Sequence, residues 1–194
     1  SLLDGGFEIT AIHNHLLRGS LPVWYMHVGA HGRPETLAAT VRQALQLTKI
    51  PAPAAPPAAP PAIDLDTSAL DGILGFKGTA NGGVYQFSVP RAEVLKEGGM
   101  ELPVSMGTAT AINFQPTGAG KAAITGDFVL LGTEVQPVLG LLRRQGVEVT
   151  ALHSHMVDET PRLYFMHFWA NDDAGKLAKT LREAINLTNS RHGG

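Results

Sequence analysis

The chain has 194 residues, 44% of them apolar, and 15 basic against 17 acidic side chains give a net charge of −2. That is enough apolar material for a folded core, and too little positive charge for nucleic acid or an anionic lipid surface to be the expected partner. No apolar run reaches the roughly 18 residues of a membrane helix, and the absence of cysteine excludes disulfides, thiolate nucleophiles and cysteine metal sites.

From the N-terminus, Phe7 to Leu17 alternate apolar and polar residues with many β-branched side chains, which predicts a strand. A turn over Arg18–Pro22 leads to a second strand at Val23–Ala30. Pro34 then opens a helix, as proline does at a first helical position, with Leu37, Val41, Ala44, Leu45 and Leu47 as its apolar stripe. Residues Pro51 to Pro61 are all Pro or Ala, so no core can form there, and the segment reads as a polyproline-like spacer. Beyond it, strands are expected near Gly83–Val89, Met106–Phe114 and Ala122–Leu131, the last two joined by Gly118-Ala119-Gly120. A helix from about Glu134 to Gln145 is stopped by Gly146. A strand over Val147–Val157, a turn at Asp158–Arg162, a strand over Leu163–Ala170 and a final helix complete the chain. That helix is capped by Asn171-Asp172-Asp173 and striped by Leu177, Leu181, Ala184, Ile185 and Leu187.

The last four elements repeat the first ones. Residue n placed beside n+140 runs without a gap from Gly6–Thr48 to Gly146–Thr188, and 16 of the 43 aligned positions are identical. The fold class expected is therefore α+β: two internally duplicated copies of antiparallel strands packed on helices, the first incomplete at its N-terminus. The organisation expected is residues 1–49 as the second half (ββα) of repeat one, 50–62 as linker and 63–194 as complete repeat two. A ββα fragment buries too little surface to stand alone. The expected partner is accordingly the missing half of repeat one, from another chain, a cleaved piece or a second protomer.

Six of the eight histidines occupy three paired positions of the repeat: His13 and His153, His15 and His155, His27 and His167. Side chains alternate along a strand, so His-x-His points two imidazoles to one face, and the neighbouring strand brings the third beside them if the register allows. Three imidazoles with an open position suit a transition metal, Zn or Cu first. Glu8, Glu148, Asp158 and Glu159 are the acids nearest in sequence to orient the rings. Met26, Met156 and Met166 fall one residue from a histidine and face away, so a thioether copper site is not expected. His31 is matched by Asn171 and, with His192, stands apart. Asp127 could serve as a base or an orienting acid, and Arg91 could bind an anion; solvated side chains explain both as well. His13-Asn14-His15 spells the letters of a nuclease motif without the spread spacing or basic surface of one. Whether the metal is catalytic, for hydrolysis or oxidation, is left open. The alternative is a non-enzymatic module with structural histidines and a small-molecule pocket between the copies, lined by Trp24, Tyr25, Tyr164 and Trp169.

The strings EITAIHNHLL, YMHVGAHG, VPRAEVLKEGG, LPVSMGTATAINFQP and EVTALHSHM followed by PRLYFMHFWA resemble the LppY/LpqO family of putative bacterial lipoproteins, a domain of unknown function. The resemblance spans nearly all of the chain except the Pro/Ala run. It implies a full protein of two tandem copies, exported to the cell envelope and anchored by lipid through a segment outside this chain. It supplies no activity and no catalytic residues. HSHMV in place of HNHLL, and Asn171 in place of His31, imply that two separate sites would differ.

Overall fold

The computed structural model describes residues 1–20, 22–50 and 61–191. The expected Pro/Ala spacer, apart from its two ends, and His192 lie outside the described residues. The architecture is α+β, with every strand pair antiparallel.

In chain order, β1 (Glu8–His13) and β2 (Tyr25–Gly29) form a hairpin followed by α1 (Pro34–Gln46). Then come α2 (Thr67–Leu74), β3 (Thr79–Asn81) and β4 (Val84–Pro90), and the short strands β5 (Lys96–Glu97) and β6 (Met100–Glu101). The long strands β7 (Ala109–Gly118) and β8 (Lys121–Leu131) lead into α3 (Gly132–Arg144), which ends at Gly146 in the left-handed conformation (φ 79°). The chain continues through β9 (Glu148–His153), β10 (Glu159–Thr160), β11 (Leu163–Asp173) and α4 (Ala174–Ile185). The strands form a six-stranded sheet in the order β3-β4-β7-β8-β11-β9, a three-stranded sheet β10-β5-β6, and the β1-β2 hairpin.

Alternation divides the large sheet cleanly. Ile112, Phe114, Ile124, Phe128, Met166 and Phe168 face α2, α3 and α4, where Leu70, Leu74, Val138, Leu142, Leu177 and Leu181 complete a core of side chains almost without exposure. Val129, Leu163 and Phe165 point to the other face and join Leu95 in a smaller cluster. That second face also carries His167 and Asp127, which are direct cross-strand partners in β11 and β8. Between these rows Gly126 leaves room that no side chain could share: a Cβ there would lie 2.0 Å from the Ala111 carbonyl oxygen.

The structure departs from expectation in several places. β1 and β9 end at His13 and His153, four residues short of the predicted ends, because the chain bends at residues 15 and 155. α2 and the short strands β3, β5, β6 and β10 were not expected, β10 falling inside the predicted Asp158–Arg162 turn. β11 runs on to Asp173, pairing with β8 over its whole length.

The two hairpins share their register at the offset of 140. Glu8, Ile9, Ala11, Ile12 and His13 pair with Gly29, Val28, His27, Met26 and Tyr25, and the same five positions of β9 pair with the matching residues of β11. Thr10 and Thr150 are the extra residue of the same β-bulge. Their surroundings differ. β11 is flanked by β9 and β8, whereas among the described residues β2 has β1 alone. Met166, Phe168 and Ile185 are buried, while the matching Met26, Val28 and Leu45 are exposed, and α1 buries no residue.

Candidate metal centre

All six repeated histidines meet in one place. The expectation was a cluster within each copy; the geometry joins both copies in a single cluster on the second face of the large sheet. The ring centroids of His13 and His153 are 3.5 Å apart, those of His15 and His167 3.8 Å, and those of His27 and His155 3.7 Å, each pair crossing between the repeats.

The hairpin register places four of these rings. His13 stands opposite Tyr25 and Ala11 opposite His27, so His13 and His27 are diagonal neighbours on one face, their centroids 5.1 Å apart. His153 and His167 repeat this at 5.0 Å. The small Ala11 and Ala151 leave the space across from His27 and His167 open. His15 and His155 lie beyond the strand ends, so strand alternation does not place them. Each instead stacks on the aromatic residue opposite the first histidine: His15 on Tyr25 at 3.7 Å, and His155 on Phe165 at 3.5 Å.

The hydrogen bonds set the ring tautomers at two positions. His13 Nδ1 donates to the carbonyl of Asn14 at 3.3 Å, and His153 Nδ1 to that of Ser154 at 3.2 Å. A carbonyl only accepts, so the proton sits on Nδ1 and the Nε2 lone pair faces the cluster. Backbone carbonyls thus do the orienting expected of acids. Glu148 pairs with Arg18, and Glu159 is buried against the Leu163 amide and Arg162. Glu8 and Asp158 are exposed.

Inside the cluster, the Nε2 atoms of His15, His153, His155 and His167 are buried with no hydrogen-bond partner among the described residues. Native structures leave few such atoms, and each one signals a missing partner. His13 Nε2 and His27 Nε2 are 2.9 Å apart, close to the roughly 3 Å that separates two nitrogens held on one ion at 2.0–2.1 Å. Candidate ligand atoms within 4.8 Å of one another form three groups: His13, His15, His153 and His167; His13, His27 and His155; and Asp127, His155 and His167.

Burial favours the neutral form of five of the rings, His15, His27, His153, His155 and His167. Burial, reinforced by neighbouring histidines, lowers His15 and His27 to about 4, His167 to about 3 and His155 to about 2; burial also lowers His153. Neutral imidazole is the form that binds metal. Burial raises the Asp127 carboxyl to about 7.

The remaining expectations sort as follows. Met166 is buried in the main core and Met156 packs on the smaller one, while Met26 is exposed, so none joins the site. His31 is exposed. Arg91 is no anion site: it is 3% exposed, with its guanidinium on both oxygens of Glu134, on Glu93 and on the Val129 carbonyl. Asp127 does join the site, through its register with His167. A cleft of about 330 Å³ lies between the repeats, lined by Leu16, Leu17, Arg18, Gly19, Glu148, Thr150 and Trp169. Of the four aromatic residues expected there only Trp169 takes part; Tyr25 instead lines a second opening of about 220 Å³ with His15, Tyr164 packs on the core and Trp24 is exposed.

Fold and site together define an α+β protein with a buried, carboxylate-flanked cluster of six imidazoles able to hold a metal ion. The chain belongs to the family described as Domain of Unknown Function (DUF1259), whose pattern matches residues 1–47 and 68–187. No curated protein and no solved structure matches it. Among the described residues no helix is long and apolar enough to cross a membrane.

Proposed function

We propose that this chain is a transition-metal protein whose ligands are His13, His15, His27, His153, His155 and His167, with Zn or Cu as the metal. The observation that carries the reading is the set of four buried Nε2 atoms without hydrogen-bond partners among the described residues, on histidines whose ligand atoms converge in three overlapping groups. Neutral nitrogen donors suit borderline metals of this kind better than Mg or Ca, which take oxygen. The resemblance to LppY/LpqO lipoproteins supports export to the cell envelope, where this metal chemistry would operate.

A bound ion would supply Lewis acidity, or redox chemistry if it is Cu. The chain's own residues would orient it: the Asn14 and Ser154 carbonyls hold His13 and His153, and Tyr25 and Phe165 support His15 and His155. The test is elemental analysis of protein purified without chelator or affinity tag, followed by melting with added Zn or Cu. Bound metal, or a melting point raised by the ion, is expected. Absence of both bound metal and a melting shift overturns the reading.

A non-enzymatic binding module is the second reading, favoured by the cleft between the repeats with its apolar Leu16, Leu17 and Trp169 walls. It predicts that Trp169→Ala loses a small apolar ligand while metal content stays the same. In either reading the edge of β2, paired among the described residues with β1 alone, and the exposed Met26, Val28 and Leu45 suit a polypeptide partner that supplies to this hairpin what β8 and its neighbours supply to β11.

A further inference from the structure

The closest ring contacts come in matched pairs, although His13–His155 at 5.9 Å and His155–His167 at 6.3 Å have no counterpart among the described contacts. His15–His167 at 3.8 Å corresponds to His155–His27 at 3.7 Å under exchange of the repeats. His13–His15 and His153–His155 are both 4.8 Å, and His13–His27 at 5.1 Å corresponds to His153–His167 at 5.0 Å. The contact of His13 with His153 is its own counterpart. Contacts that map onto themselves in this way define a local two-fold axis passing between His13 and His153.

Any metal position off that axis occurs twice. The group His13, His15, His153 and His167 is off the axis, since it takes one of each exchanged pair. Exchange of the repeats turns it into His153, His155, His13 and His27, and three of these, His13, His27 and His155, are themselves a group of converging donors. The openings agree. His15 is reached from the cleft of about 220 Å³ that it shares with Tyr25, while His27 and His155 line a separate cavity of about 100 Å³ beside Glu97 and Met156.

Resting on the reading that the cluster binds metal, we propose that it is a two-metal centre. His15 and His167 belong to one ion, His27 and His155 to the other, and His13 and His153 stand between them. Asp127 departs from the symmetry. Its carboxylate lies within 4.8 Å of ligand nitrogens of His155 and His167, which belong to different ions, so it is placed as the carboxylate between the two. It also supplies negative charge, which imidazole ligands cannot and which a pair of buried divalent cations requires. Two ions in such a site stand roughly 3.5–4 Å apart and clamp a substrate oxygen between them, the arrangement used on phosphoryl and acyl groups.

The test is native mass spectrometry of the full chain, stripped with chelator and titrated with Zn(II), with circular dichroism to verify folding. Two ions per chain are expected, with His15→Gln and His27→Gln each retaining one. Asp127→Asn is expected to weaken the second ion at least tenfold. A wild-type chain that saturates at one ion overturns the two-metal centre and leaves metal binding intact; a chain that takes up none overturns both. A folded His15→Gln variant that still holds two ions overturns the assignment of the positions. Should either variant fail to fold, the wild-type stoichiometry decides alone.

Discussion

Asp127 shows how a single residue acquires its role from its neighbours. In the sequence it is one acid at the end of Thr125-Gly126-Asp127; its place among the histidines follows from pairing with His167 across β8 and β11, a register that local sequence does not encode. The imidazoles, by contrast, announced themselves by repetition, and their neutrality has a consequence. The folded values of His15, His27, His155 and His167 lie well below the ordinary 6.5, so the unfolded chain takes up protons first as pH falls. Stability present above pH 6.5 is lost progressively from 6.5 down through the folded values, about 4 for His15 and His27, about 3 for His167 and about 2 for His155. The melting temperature of the metal-free protein is therefore expected to drop steadily from pH 7 to 5; a flat profile would contradict protonation-free rings. Arg91 was legible as an arginine past a strand end but not as a buried one, since Glu134 is supplied from a distant helix. Arg91→Met leaves Glu134 buried and unpaired, and a loss of about 3 kcal/mol in urea unfolding is expected.

At the scale of elements, alternation identified β1, β2, β8, β9 and β11, and capping identified α1 and α4. The two-residue strands β5, β6 and β10 carry no period; β5 and β6 pair across the Gly98-Gly99 turn, and β10 exists because it lies beside β5 in space. The bulge at Thr10 and Thr150 was equally invisible, although it comes just before the strand segment that bears the first histidine of each pair. Two measurements follow. Gly126→Ala forces a Cβ into the Ala111 carbonyl, and destabilisation by about 3 kcal/mol is expected, beyond ordinary overpacking only if β7 cannot shift. In hydrogen exchange, the β2 amides are expected to exchange orders of magnitude faster than those of β11, because β11 is paired on both sides. Equal protection of the two strands would mean that β2 has found a partner.

At the scale of the whole molecule, the N-terminal hairpin meets the rest of the chain through the histidine rings and the Arg18–Glu148 ion pair. An exposed ion pair of this kind contributes less than about 1 kcal/mol, so the ring cluster is the stronger of these two ties. Chelation is expected to speed tryptic cleavage after Arg18 and Arg42, and added Zn(II) to slow it; unchanged cleavage would show that the hairpin is held by other contacts. The convergence of both copies on one centre is also what the sequence concealed, because repetition reveals equivalent positions and not whether their sites are separate or shared.

A centre built half from each repeat obeys a reciprocity that a centre within one fold does not. Whatever free energy the ion contributes to holding the hairpin in place, the hairpin's placement contributes equally to holding the ion. Under the proposed metal binding, anything that pulls on residues 1–50 would become a lever on metal affinity, and metal supply a lever on whatever holds that hairpin.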